Sequence, residues 1–216
     1  MATGGSRPAE SRLSSTDSAI TGLPERALRD PALLDRYELG ARIAAGGLGD
    51  IFTAPQRSTG QEVALKILRL RPEDEGEAAR ELIGRFRRET RLCAALHHPN
   101  IVQLIDSGQA RSGALFAVFE LVRGNNLADV LAAEGAVPPA EALHLMGQVL
   151  DALACAHAEG VIHRDLKPAN LLIADTGARR NGLVADFGLG TFAAGGRMGD
   201  LPRMTLRGEY LGTPAY

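Results

Sequence analysis

Apolar and polar positions follow two different rhythms along this chain. From Tyr37 to Leu121 the apolar residues come in short runs separated by turn residues, and beyond Gly124 they recur mostly at helical spacing. The first rhythm predicts a strand over YELGARIA from Tyr37, a tight turn over AGGLGD and a second strand over IFTAP. A turn at STGQ then leads to a third strand over EVALKILRL, rich in Val, Ile and Leu. A charged linker, RPEDEGE, precedes a helix over EAARELIGRFRRETRLCAAL, where Leu82, Phe86, Glu89, Cys93 and Leu96 share one face. Pro99 in HHPN ends that helix, because its ring carries no N–H and clashes with the preceding turn. Two further strands, IVQLIDSG and ALFAVFEL, meet at QARSG. This order predicts a small antiparallel sheet with one packed helix. The glycine-rich turn joins two strands, whereas a dinucleotide fold would place it between a strand and a helix.

The second rhythm predicts a short helix over NLADVLAAEG and a longer one from Pro139 to Gly160, with an apolar stripe of Leu143, Met146, Leu150, Leu153 and His157. After it, VIHRDLKPANLLI and NGLVADFG alternate short strands with polar loops, and residues 189–212 read as a glycine-rich loop. Residues 1–34 are mostly small, polar and aperiodic, which predicts a disordered tail unable to repay its ordering entropy. The apolar segment Ala27–Leu34 is the part of it expected to pack on the domain.

Polar residues set inside apolar elements are the candidates for chemistry. Lys66 interrupts VALKIL; alternation gives one face to Val63 and Leu65 and the other to Ala64 and Lys66. An unpaired buried lysine is costly, so Lys66 either snorkels to water or has a fixed anionic partner, for which Glu89 is the obvious candidate. The run AAGGLGD lets backbone N–H groups approach phosphate oxygens, although a tight hairpin also needs glycine. HRDLKPAN packs five polar side chains into eight positions. A plain surface loop does the same, but a loop wrapped around Pro168 turns Asp165, Lys167 and Asn170 towards one cavity. Asp186 ends an apolar strand, and with Asn170 it offers two hard oxygen donors suited to magnesium held together with phosphate. A carboxylate such as Asp165 nearby orients a hydroxyl nucleophile.

Composition narrows the field. The 216 residues are 45% apolar, with 24 Lys+Arg against 26 Asp+Glu and a formal net charge of -2. That balance removes the argument for a non-specific nucleic-acid binder. Cys93 and Cys155 are too few for a disulfide scaffold or a cysteine-rich zinc site, which points to a reducing compartment and a cytoplasmic location. The apolar runs fall short of a membrane span, and no signal-peptide pattern opens the chain.

The ordered set of glycine loop, strand lysine, helix glutamate, HRDLKPAN, DFG and GTPAY resembles the eukaryotic-type protein kinases, and among them the bacterial Ser/Thr branch. The resemblance covers roughly Tyr37 to Tyr216. It implies an α+β two-lobe fold: a small antiparallel-sheet lobe over residues 35–122 with a hinge at 120–122, and an incomplete helical large lobe over 123–216. The large lobe would hold the catalytic loop 163–170 and an activation segment 186–216. ATP and Mg2+ (or Mn2+) are the implied cofactors, and a protein with a Ser/Thr acceptor is the implied partner.

Residue by residue, the resemblance implies that Gly46, Gly47 and Gly49 cover the ATP phosphates and that Ile43, Ile51, Ala64 and Leu172 line the adenine site. Lys66 would hold the α/β-phosphates, positioned by Glu89. Backbone at Glu120 and Val122 would meet adenine behind Phe119, and Asn126 the ribose. Asp165 is the implied base, Lys167 the neutraliser of the transferring phosphoryl group, Asn170 and Asp186 the magnesium ligands, and Thr213 a contact of Asp165 and Lys167. Cys93, Leu104, His163 and Phe187 match an apolar stack that assembles in the active state. Thr205, seven residues before Gly212, is the implied autophosphorylation site, reached by self-association, with Arg164 as the phosphate partner. One departure stands in the glycine loop, whose opening glycine is Ala44 here. The family continues past GTPAY into a PE pair and further helices, so weak or absent transfer is expected of this chain by itself. The alternative class is an impaired fragment or a pseudokinase-like scaffold, disfavoured because Lys66, Glu89, Asp165, Asn170 and Asp186 are all present.

Overall fold

A computed structural model describes residues 28–46, 49–68, 76–177 and 179–187. Five antiparallel strands form the first sheet: β1 (Arg42–Gly46), β2 (Gly49–Pro55), β3 (Glu62–Leu68), β4 (Leu104–Gln109) and β5 (Leu115–Glu120), in the order β1-β2-β3-β5-β4. The β1–β2 turn is tighter than AGGLGD suggests, because Gly46 pairs with Gly49 and leaves residues 47–48 between them. The first predicted strand is shifted: Tyr37 makes an isolated bridge to Gln56, and the regular ladder starts at Arg42 with an irregularity before Ala44.

Each face of this sheet has its own cover. Val63, Leu65 and Ile67 point to one side and join Phe52, Phe116, Val118 and Tyr37 in one apolar cluster. The short helix α1 (Pro31–Leu34) closes this cluster by burying Leu33, and Leu28 packs against it, while Ala27 lies outside the described residues. Asp30 is the anchor. Its Oδ1 accepts a hydrogen bond from Ala32 N at 2.9 Å and caps α1, while its Oδ2 accepts one from Ser112 N at 2.7 Å. Burial pushes the Asp30 carboxyl up, but these two N–H donors and Arg111 outweigh it and hold the group below its ordinary range. Its contribution is therefore complete above the pH at which an unfolded aspartate ionises, and is lost as the pH falls through the lower folded value. Asp30→Ala is expected to cost about 1–2 kcal/mol in denaturant unfolding near neutral pH. Unchanged stability would show that the segment does not clasp the sheet.

The other face meets α2 (Gly76–Ala95), which buries Phe86 and Cys93 on the stripe read from the sequence, with Leu96 buried just beyond its end. From there a single apolar cluster runs through Leu104 and Ile101 to Val184, Leu171 and Leu145, so the sheet and the helical part share one core. A second sheet, in the order β6 (Gly124–Asn126), β7 (Leu171–Asp175), β8 (Arg180–Val184), is split in sequence by α3 (Leu127–Glu134) and α4 (Pro139–Ala158) and packs against both. Strand β6 falls where helical composition begins, and it exists because β7 pairs with it from 46 positions away at Asn126↔Leu172.

The predicted stripe of α4 is out of phase. Leu143 is 76% exposed and Leu150 64%, whereas Leu145, Val149, Ala152 and Ala156 are buried. The helix is apolar nearly all round, so periodicity alone does not select a face. The small residues Ala152 and Ala156 permit close approach, and α4 lays that side on β8, with Leu145 next to Gly182.

Candidate active site

The site forms where β3, the loop after α4 and the end of β8 converge. Lys66 is 4% exposed on β3, opposite Ile51 and Ala117, and its Nζ donates to Asp186 Oδ1 at 2.6 Å. Lys66 thus has a carboxylate partner in Asp186. Glu89 sits half-buried on α2, one turn before Cys93. Both acidic groups lie near that thiol: burial first, then the charges of Glu89 and Asp186, push Cys93 up to about 12 and keep it protonated.

The loop from His163 to Asn170 does wrap as its sequence suggests. A 3-10 turn (Pro168–Asn170) folds it back, and Lys167 Nζ donates to Asp165 Oδ2 at 2.7 Å. Asn170 Nδ2 donates to Asp165 O at 2.7 Å, which fixes the amide and leaves its Oδ1 on the other side. Burial raises the Asp165 carboxyl, but the hydrogen bond and charge of Lys167, with Asn170 and His163, prevail and hold it below the ordinary carboxylate range. Asp165 is therefore ionised at neutral pH. His163 is 3% exposed, its Nε2 donates to Ala185 O at 2.8 Å, and its Nδ1 accepts from Asp165 N at 3.3 Å. Burial lowers its pKa against those neighbours, consistent with the neutral tautomer these partners require.

Among the described residues, two non-glycine residues adopt positive φ, Arg164 at 65° and Asp186 at 60°. Such conformations cost about 1–3 kcal/mol each and persist where surrounding contacts enforce them. Here Ala185 N donates to Asn170 O at 2.9 Å, so the strained segment after β8 is tied to the strained loop 163–170. Asp186 Oδ1 is engaged by Lys66, and the side chain remains 31% exposed. A carboxylate and an amide oxygen presented in this way are hard donors that fit a magnesium ion shared with phosphate oxygens.

The residues expected at the adenine site are at least partly open to solvent. Ile43 on β1 is 51% exposed, while Ile51, Ala64, Val122 and Leu172 are half-buried. Gly49 allows the close approach of β2 to β3: its φ is 151°, and a Cβ there would stand 2.1 Å from Ile67 O. Asn126 does something the sequence did not reveal. Its Oδ1 accepts from Asp129 N at 2.9 Å, capping α3, and its Nδ2 donates to Asp129 Oδ2 at 2.6 Å. Gln103 was also missed; its N donates to Glu120 Oε1 at 2.8 Å and its O accepts from Glu120 N at 3.0 Å, fixing the strand end before Val122. No local pattern marks Gln103, since the pairing is made across 17 positions. The stack expected of Cys93, Leu104, His163 and Phe187 is assembled: all four are buried, and the His163 and Phe187 rings meet edge-on at 4.9 Å. Gly47, Thr205 and Thr213 lie outside the described residues.

A five-stranded antiparallel lobe with one helix, followed by a helical part whose Asp186 meets Lys66, is a two-lobed, kinase-like α+β fold. The chain belongs to the protein kinase family: the model described as protein kinase domain matches residues 37–216. It is 38% identical over 186 residues to serine/threonine-protein kinase pkn3 of Myxococcus xanthus, covering 84% of this chain and 32% of that protein. It is 36% identical over 191 residues to PknB of Mycobacterium leprae, covering 86% and 28%. It is 38% identical over 156 residues to PrkC of Bacillus subtilis, covering 72% and 23%. The chain thus spans about a quarter to a third of the length of these curated relatives.

Proposed function

We propose that this chain carries the ATP-binding and catalytic part of a bacterial protein serine/threonine kinase, which transfers the γ-phosphoryl group of ATP to a Ser or Thr hydroxyl of a protein. The observation that carries the reading is the Asp165–Lys167–Asn170 loop, hydrogen-bonded within itself and joined through Ala185 to the Asp186 that Lys66 holds. The pairing of Lys167 with Asp165 and the named Ser/Thr kinases among the relatives support the Ser/Thr class.

In this reading residues 35–122 form the small lobe with its hinge at 120–122, and residues 123–216 contribute the large-lobe part, with the activation segment from Asp186. Ile43, Ile51, Ala64 and Leu172 sandwich adenine, whose edge meets backbone at Glu120 and Val122. Gly46, Gly47 and Gly49 cover the phosphates, and Asn126 faces the ribose. Asn170 and Asp186 hold Mg2+, which when bound neutralises phosphate charge. Lys66, released from Asp186 in part, takes a phosphate oxygen, with Glu89 as its second carboxylate. The acceptor hydroxyl donates its hydrogen bond to Asp165, which orients the oxygen and takes the proton as the O–P bond forms and the bond to ADP breaks. Lys167 balances charge on the phosphoryl oxygens, and Thr213 positions Asp165 and Lys167. Thr205 is the site of autophosphorylation between copies. We place the domain in the cytoplasm, in keeping with its free cysteines; among the described residues no helix is long and apolar enough to cross a membrane.

Incubation with Mg2+, γ-labelled ATP and an acceptor protein, followed by phosphoamino-acid analysis, tests this. However weak the transfer by this chain alone, the label transferred is expected on phosphoserine or phosphothreonine, with Thr205 among the labelled sites. Label on tyrosine alone, or none at Thr205, would count against the corresponding part of the reading.

A further inference from the structure

The segment Ala185–Phe187 is held at three backbone points. Ala185 N is bound by Asn170 O at 2.9 Å, and Ala185 O by His163 Nε2 at 2.8 Å. Both holds come from the catalytic loop. The third comes from the small lobe: Cys93 Sγ donates to Phe187 O at 3.0 Å. Cys93 is 8% exposed and Phe187 4%, so this bond is closed to water. Packing alone would be served at this position by any apolar residue of similar volume. The thiol adds direction, because a donor on α2 meets an acceptor one residue beyond Asp186, whose φ of 60° needs enforcement from outside.

We propose that Cys93 is a positioning residue, whose thiol-to-carbonyl hydrogen bond transmits the placement of α2 to the metal-binding carboxylate of Asp186. Lys66 holds the side chain of Asp186 and Cys93 holds the backbone that follows it, so the two small-lobe contacts fix the carboxylate from both ends. Glu89 lies one turn before Cys93 on the same helix face, so a shift of α2 moves the phosphate lysine's second carboxylate and the Asp186 tether together. The inference rests on the kinase reading for the role of Asp186.

The test compares shape-matched pairs, Cys93→Ser against Cys93→Ala and Cys93→Thr against Cys93→Val, in the 216-residue chain. Within each pair the first member keeps a donor and the second does not. ATP affinity is measured by calorimetry with and without Mg2+, beside thermal unfolding without ligand. In each pair the variant lacking a donor is expected to lose about five-fold of the Mg2+-dependent gain in ATP affinity, the equivalent of one hydrogen bond. Its metal-free ATP affinity stays unchanged, and the donor-bearing partner stays within about two-fold of wild type. Equal Mg2+ dependence within both pairs overturns the inference and leaves only packing. Absence of any Mg2+-dependent ATP binding in the wild-type chain overturns the kinase reading itself, and the inference with it.

Discussion

Lys66→Met is expected to abolish phosphoryl transfer while the chain still folds and still binds ATP. The substitution preserves length and apolar stem but removes the one charge that reaches Asp186 from β3. Asp186 remains 31% exposed, so water solvates its carboxylate and the loss of its partner does not unfold the domain. The adenine contacts proposed for the sheet and the hinge are untouched, which preserves nucleotide binding. What disappears is a fixed positive charge at the phosphates in a site partly closed to water, where such groups contribute most to the transition state. The expected loss of turnover is about 10²–10³-fold or more. Near-wild-type transfer by this variant would remove Lys66 from the catalytic machinery.

Asp165→Asn is expected to reduce turnover by about 10²–10⁴-fold with little change in ATP affinity, since it removes the group that receives the hydroxyl proton and not one that touches nucleotide. The amide is nearly isosteric and keeps an acceptor for Lys167. The pH dependence supplies an independent check. Lys167, Asn170 and His163 hold the Asp165 carboxyl below its ordinary range against the opposing effect of burial. The catalytically competent, ionised form therefore persists as the pH falls through the range where free aspartates protonate. Lys167→Ala removes the strongest of the lowering contacts and leaves burial to act, so the acid limb of the pH–rate profile is expected to move to higher pH. An acid limb that stays in place would mean that another group controls it.

These consequences were legible in the sequence to different degrees, for physical reasons. Lys66 stood out because strand periodicity is short and strict, and its alternation with Val63 and Leu65 survives intact in the fold. The stripe on α2 was readable because one face is apolar and the other carries arginines. On α4 the same reasoning failed, because leucines occupy both sides and the choice of face fell to the small residues that fit β8. The contact of Lys66 with Asp186 was also beyond local pattern, since it joins β3 to the residues after β8 across 120 positions. Strand β6 and the brace from Gln103 are products of pairing with residues distant in the chain, with no marker in their own neighbourhoods, whereas the cap at Asn126 is local, its partner Asp129 lying three positions on.

Asp30 shows the converse. The N-terminal stretch reads as a tail because most of it is small and polar, yet one aspartate with two backbone partners and one buried leucine attach its end to the sheet. Composition averages over such single residues, and hydrogen-bond geometry does not. The strained backbones of Arg164 and Asp186 were equally silent in the sequence, although both belong to the motifs that carried the resemblance.

The central claim is that Lys66, Asn170 and Asp186 together form a metal-dependent ATP site beside Asp165. Titration of ATP into the wild-type chain and into Asp186→Ala, each with and without Mg2+, addresses it most directly. The account predicts that Mg2+ strengthens ATP binding to the wild type by at least about ten-fold and that Asp186→Ala removes this gain while metal-free ATP still binds. A wild-type affinity indifferent to Mg2+, or a gain that survives Asp186→Ala undiminished, would contradict it.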